Sequence, residues 1–344
     1  MKSIIPPKMK DRPKHSISSR VLGLMGLTAI LLLMGISVTK GAADIPLSTL
    51  IDSIRRFDKT NTHHLMMIDL RLPRVLTSAL VGSALAVAGA IMQGTTRNPM
   101  ADSGLMGVNA GAGLAIALCF AFMPGIRYEA LIAWAFLGAA MGTLMIAGIA
   151  FWPQRGATPM RIVLAGAAVS ALLAALSQGI ALSFHVGVGL LFWTVGGVVH
   201  VTWSQVYLIA PLVLIGLLGA LLLSPFISMM SMGEEVAKGL GIRTTLLQFL
   251  CGLVVLVLAG TSVSLVGAVS FVGLMVPHLA RFLLGVDYRK IIPGSAVLGA
   301  LLLIAADLGA RTINPPFEVP LGVLTSLLGV PFFLYLSRKT RREG

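Results

Sequence analysis

The chain has 344 residues, of which 56% are hydrophobic and only 11% charged, against about 25% charged in a soluble domain. That balance excludes an ordinary soluble protein and implies an integral membrane one, with room for roughly ten spans at about 20 apolar residues each. The net charge of +13 does not point to nucleic acid, because the basic residues are scattered between apolar runs rather than gathered on one domain.

Residues 1–20 form a basic tail carrying Lys2, Lys8, Lys10, Arg12, Lys14 and Arg20. It resembles the start of a signal peptide, but no small-residue cleavage site follows, so a retained first span is expected over 21–38. In the polar connection 40–70, Leu47, Leu50, Ile51 and Ile54 share one face and predict a short interfacial helix. Span two, 72–92, repeats Gly82, Ala86 and Ala90 every four positions, which lets a neighbouring helix approach closely. Asn98-Pro99 then breaks the helix. Spans three to five are expected over 105–123, 130–152 and 162–184, the fourth with the pair Gly138 and Gly142. The glycine-rich segment 185–202, with Trp193 and Trp203 near its ends, suits a short interfacial or re-entrant helix. Spans six to ten follow over 204–226, 245–263, 266–284, 293–310 and 320–336, with a stiff prolyl turn at 311–319. The tail 337–344 carries Arg338, Lys339, Arg341 and Arg342.

The expected fold is therefore an all-α integral membrane protein of about ten transmembrane helices with short interfacial helices. Residues 21–336 form a single domain between two cytoplasmic tails. With both termini in the cytoplasm, about 18 of the 26 basic residues lie inside, Arg97, Arg155 and Arg161 among them. Cys119 and Cys251 both fall within spans and read as small buried hydrophobes rather than a disulfide or metal pair.

Between spans six and seven lies a polar insert, about 232–242. Glu234 and Glu235 would occupy the first turn of a short helix, against its positive end, with Lys238 a turn later and Gly239 or Gly241 to stop it. A helix of about three turns or fewer is not stable alone, so it needs a partner surface, for which Val236, Ala237 and Leu240 are the apolar contacts. No Gly-Lys-Ser or Gly-Lys-Thr occurs, so the chain lacks a P-loop and its energy must come from elsewhere. His63-His64 are adjacent and do not share a helix face, which fits a solvated loop better than a metal site. His278 is expected to cap or hydrogen-bond near a cytoplasmic span end. Asp307 and Arg311, four apart, predict a local ion pair near the outer interface. Arg71 and Arg74 share one face at the outer mouth of span two; with Arg311 they could receive carboxylates from a soluble partner.

On these residues the chain resembles the FecCD-like permeases of iron-siderophore and vitamin B12 ABC importers. The matching pieces are Arg71-Leu-Pro-Arg-Val-Leu76, Gly89-Ala-Ile-Met-Gln93, Arg97-Asn-Pro-Met-Ala101, Gly233-Glu-Glu-Val-Ala237 with Leu240-Gly241, Phe271-Val-Gly-Leu-Met-Val-Pro-His278 and Glu318-Val-Pro-Leu-Gly322. They fall in the family's order over nearly the whole chain. The resemblance implies a ten-span permease in the cell membrane, paired with a second copy or paralogue and served by a cytoplasmic ABC ATPase dimer and an extracytoplasmic substrate-binding protein. It assigns ATPase coupling to Gly233, Glu234, Glu235, Ala237, Leu240 and Gly241, and binding-protein docking to Arg71, Arg74 and Arg311. It places Met92, Gln93, Asn98 and Pro99 at the translocation path or its gate; Thr95-Thr96, where the family often has bulkier apolar residues, bears on the path lining. No catalytic residue, metal or cofactor is implied. A ferric siderophore is the expected cargo, with cobalamin or haem as alternatives within the family. An ion-coupled secondary carrier working alone is the alternative from another class.

Overall fold

The computed structural model describes residues 19–41, 45–150, 159–199, 201–315 and 317–343, and every regular element among them is a helix. Six helices are long and apolar enough to cross a membrane, and shorter apolar helices run over Gly23–Thr39, Val108–Phe122, Val272–Leu284 and Leu321–Tyr335. In chain order the elements are α1 (Ser19–Thr39), α2 (Leu47–Arg55) and α3 (Thr62–Leu65), the last passing through a π turn, Met66–Arg71, into α4 (Leu72–Thr96). Next come α5 (Val108–Phe122), α6 (Tyr128–Ala150), α7 (Pro159–Ser183), α8 (Gly187–Val195), α9 (Trp203–Ser231) and α10 (Glu234–Gly239). Then α11 (Thr244–Val255) runs through a second π turn, Leu256–Gly260, into α12 (Thr261–Val266), followed by α13 (Val272–Leu284), α14 (Tyr288–Thr312) and α15 (Leu321–Glu343). The N-terminal tail, Asp44 and the loop with Arg155 lie outside the described residues, as do the side chains of Arg20, Arg161 and the basic C-terminal residues.

α4 is the axis of the bundle. The apolar window of Thr62–Thr96 is 78% buried, against 28% for Trp203–Ser231, so α4 is wrapped in protein while α9 presents most of its surface to lipid or a partner. Between helices in lipid the hydrophobic effect supplies no attraction, so close backbone packing must. Accordingly Gly82 of α4 lies against the carbonyl of Gly299 in α14, and Gly299 against that of Gly82. Gly89 meets Gly273 of α13 in the same way, and Gly138 and Gly142 of α6 meet Gly111 of α5. Both small-residue stripes expected from the sequence are thus helix contacts. Cys119 and Cys251 are buried and unpaired. Phe192 and Phe282, 77% and 82% exposed, belong to an apolar exterior that water would not tolerate.

Three expectations need correction. The eighth span does not begin at residue 266: Gly267 (φ 72°) and Phe271 (φ 68°) break the helix, and α13 starts at Val272. The cause is tertiary, because Gly267 abuts the Trp193 carbonyl, where a side chain would collide. His64 is buried rather than solvated; its Nδ1 accepts from the Asp58 N–H at 3.2 Å and its ring stacks on Phe57. Ala237 is also buried, so it anchors α10 to its own chain and offers no surface to a partner. The expected short helix in 185–202 is present as α8.

Irregular backbone survives at membrane depth only where protein or a cavity surrounds it. Here three such segments meet. The Gly197 N–H donates to the Val266 carbonyl at 2.8 Å, Gly196 faces the Val266 and Ala268 carbonyls, and Gly322, at the head of α15, faces those of Val195 and Ala268. Beside them opens a cavity of about 500 Å³.

Candidate functional site

α14 fixes the geometry of two polar sites, since its first and last residues are about 35 Å apart at 1.5 Å per residue. At its far end stand the three arginines. Arg74 Nε donates to Asp307 Oδ1 at 2.8 Å, while Nη1 and Nη2 form a fork with the two Glu318 oxygens at 2.8 and 2.9 Å. Arg311 Nη2 stands 3.2 Å from Asp307 Oδ2. That contact is Coulombic only, because no donor lies in hydrogen-bonding line with Oδ2. The expected Asp307–Arg311 pair is therefore present, but as part of a larger cluster.

Arg71 and Arg311 have a further task. Arg71 Nη1 donates to the carbonyls of Val38 (2.8 Å) and Thr39 (3.1 Å). Arg311 donates to the Ser37 carbonyl (3.0 Å), the Ser37 hydroxyl (2.6 Å) and the Lys40 carbonyl (3.4 Å). The carbonyls of Ser37, Val38 and Thr39 are among those that the last turn of α1 leaves without helical donors, and positive charge there opposes the negative end of the helix dipole. Gly41 sits between the two guanidiniums; a methyl built on it would stand 3.3 Å from Arg71 Nη2 and 3.6 Å from Arg311 Nη1. Arg71, Arg74 and Arg311 are thus buried together with partners in their own chain, rather than projecting from the surface. The cavity touches the same cluster through Arg74, Asp307 and Glu318, and its remaining wall is mostly apolar, with Phe192, Trp193 and Leu321.

At the near end of α14 lies α10. Gly233, at φ 139°, admits the chain into this helix, and Gly241, at φ 80°, closes it, with the Gly241 N–H on the Lys238 carbonyl (2.9 Å) and the Ile242 N–H on that of Ala237 (3.0 Å). Lys238 Nζ bridges to Glu234 at 2.9 Å. The Lys238 hydrogen bond holds the Glu234 carboxyl below the usual carboxylate range, helped by the charge of Lys238, the Thr244 hydroxyl and the charge of Arg97. Glu235, Val236, Lys238 and Leu240 are exposed, so this segment presents one acidic, one basic and two apolar side chains outward.

Close by, Gln93 is buried; its Nε2 donates to the carbonyls of Gly273 (3.3 Å) and Leu274 (3.1 Å) and its Oε1 accepts from Arg281 at 3.1 Å. Arg281 also donates to the Tyr288 hydroxyl at 3.1 Å, and the Tyr288 N–H donates to Ser228 Oγ at 2.9 Å. Gln93 therefore ties α4 to α13, and Arg281 carries the link on to Tyr288 of α14. Met92 is buried too, whereas Pro99 is exposed and Asn98 partly so, its side chain accepting from the Met100 N–H at 2.9 Å. His278 packs edge-on against Phe332. No group of three potential metal ligands occurs among the described residues.

A helical bundle with an apolar exterior, a charged cluster at one end, a short exposed helix at the other and a cavity between irregular segments is the architecture of a multi-pass membrane protein. The chain belongs to the FecCD transport family, whose model matches residues 27–339. It is 46% identical over 319 residues to the iron(3+)-hydroxamate import system permease protein FhuB of Bacillus subtilis, covering 93% of this chain and 83% of that one. With the ferric enterobactin transport system permease protein FepD of Escherichia coli it shares 36% identity over 95% of this chain and 98% of the relative. Its fold matches a solved inward-facing metal-chelate type ABC transporter with a TM-score of 0.81 at 25% identity, covering 93% of this chain and 99% of the other. Permeases of this family generally work with an ABC ATPase and a substrate-binding protein.

Two functional contacts escaped the sequence reading. Glu318 figured only as part of a motif, and Arg281 was assigned no contact. The available signal for Glu318 was rarity: with 13 acidic residues in the chain, one in a prolyl turn close to the helix that carries Arg311 invites a search for its cation.

Proposed function

We propose that the chain is the membrane subunit of an ATP-driven importer that moves a ferric siderophore through a ten-span bundle with both termini in the cytoplasm. The observation that carries the cargo class is the likeness to permeases described as serving iron(3+)-hydroxamate and ferric enterobactin. Six long and four shorter apolar helices are compatible with ten crossings, and the bias of basic residues favours α10 on the cytoplasmic side. There a dimeric ABC ATPase would seat α10 through Glu235, Val236 and Leu240, while Gly233, Glu234 and Gly241 keep the helix in shape. Two permease chains, identical or paralogous, enclose the path, with Asn98 and Pro99 supplying surface to it and Met92 and Gln93 backing them. On the opposite face an extracytoplasmic binding protein presents carboxylates to the cluster of Arg71, Arg74 and Arg311. Closure of the ATPases moves α10 together with α9 and α11, which flank it in sequence, and shifts the population between outward- and inward-facing states.

Reconstitution tests this reading. Liposomes holding the permease, its co-purifying ATPase and binding protein should accumulate a ferric hydroxamate carrying radioactive iron only when ATP is enclosed with the ATPase. Uptake by the permease alone under an ion gradient would overturn it.

A further inference from the structure

We propose that Glu318 is an internal substitute for the carboxylate of the external binding protein: it holds Arg74 in the free permease and gives it up on docking, which releases the head of α15 from the cavity. This deepens the docking role proposed above and rests on it.

The three arginines are not equivalent as receptors. Arg71 and Arg311 donate to carbonyls at the end of α1, so drawing either away would leave backbone acceptors unsatisfied. The bonds of Arg74 all run to carboxylates, so one carboxylate can replace another there without loss of hydrogen bonds. Of its two partners, Asp307 is 1% exposed and shared with Arg311, whereas Glu318 is 32% exposed. Glu318 also belongs to the irregular segment between α14 and α15, so it can swing out without unwinding a helix. The donors allow an intermediate: Arg74 spends three of its five N–H groups on Asp307 and Glu318, so an arriving carboxylate can bind before Glu318 departs.

The exchange reaches the cavity through three residues of backbone. Val319, Pro320 and Leu321 follow Glu318 and line it, and Gly322 packs on the carbonyls of Val195, which ends α8, and of Ala268 in the irregular segment before α13. Once Glu318 leaves Arg74, the Val319 N–H bond to the Ala310 carbonyl at 2.9 Å holds the turn without its ionic clamp. Partner docking is thereby converted into freedom at the wall beside the cavity.

The test uses the assembled transporter in nanodiscs with the substrate-binding protein that co-purifies with it. Glu318→Gln, which removes the competing charge, should raise affinity for the binding protein about tenfold, the equivalent of one charge-assisted bond no longer displaced. Without binding protein, it should speed maleimide labelling of Leu321→Cys, a buried position. Glu318→Asp, which keeps the charge, should stay near wild type in both readouts and shows that the turn still folds. Arg74→Gln should lower affinity about tenfold. Reduced affinity in Glu318→Gln would mean that Glu318 itself contacts the partner, and would overturn the proposal, as would unchanged affinity and labelling. If Arg74→Gln leaves affinity unaltered, the docking reading fails; if it weakens binding while Glu318→Gln changes nothing, only the substitution mechanism fails.

Discussion

Asp307→Asn probes the cluster with almost no change of shape. Its carboxylate lies 2.8 Å from Arg74 Nε and 3.2 Å from Arg311 Nη2. At an effective dielectric of about 20, unit charges at these separations attract by about 6 and about 5 kcal/mol, most of which the lost hydration of the ions offsets. Deleting one member of a buried pair nevertheless costs about 3–5 kcal/mol, because its partners stay buried without compensation. Here Arg74 and Arg311 would face each other across a neutral amide, with Glu318 the carboxylate left on Arg74. Chemical unfolding in nanodiscs, followed by tryptophan fluorescence, should show that loss. A cycle with Arg74→Gln should return a coupling energy of about 2–3 kcal/mol, as expected for residues in direct contact. If Asp307→Asn costs less than about 0.5 kcal/mol and adds independently to Arg74→Gln, the cluster does not hold this end of the bundle together.

Three other outcomes follow from particular contacts. Gly82→Val must push α14 off α4, costing about 1–3 kcal/mol or more in the same unfolding assay, whereas Gly23→Val, with no atom near its missing side chain, should be silent; equal effects would refute the close-packing argument. Arg281→Met strands the Gln93 and Tyr288 oxygens and should cost about 1–3 kcal/mol, more than Tyr288→Phe, and a loss no larger than that of Tyr288→Phe would count against a shared network. Because the Glu234 carboxyl titrates below its unfolded value, the stabilisation from its lysine bond is complete above the unfolded carboxylate range and fades only as pH falls through the lowered one. Association of the ATPase proposed to seat α10 should then be flat between about pH 6 and pH 8 and decline in acid; a transition inside that interval would refute it.

What could be read from the residues alone divides along physical lines. Gly82 with Ala86, and Gly138 with Gly142, were legible because small residues four apart form a stripe whatever lies opposite. α10 was legible because carboxylates, a lysine and glycines occur in the order that a helix dipole requires. The start of α13 was not: Gly267 stands in a continuous apolar run, and only the Trp193 carbonyl, more than 70 residues away, explains why the helix stops there. Spacing correctly grouped Arg71 with Arg74, but their partners lie across the fold, at Val38 for one and at Glu318 for the other, 244 residues further on. Arginines near a membrane surface look like free anchors until the tertiary carboxylates and carbonyls that claim them are in view.

The guanidinium caps on α1 also constrain the order of assembly. Arg71 is 33 residues from the carbonyl it serves and Arg311 is 274 from Ser37, so during synthesis the first helix can gain one cap early and must wait for nearly the entire polypeptide before receiving the other. Until then that end of the helix keeps polar backbone that only water or lipid headgroups can satisfy. A chain released by the ribosome before Arg311 would thus carry a loosely seated amino-terminal helix, a mark by which membrane quality control could tell unfinished permeases from finished ones.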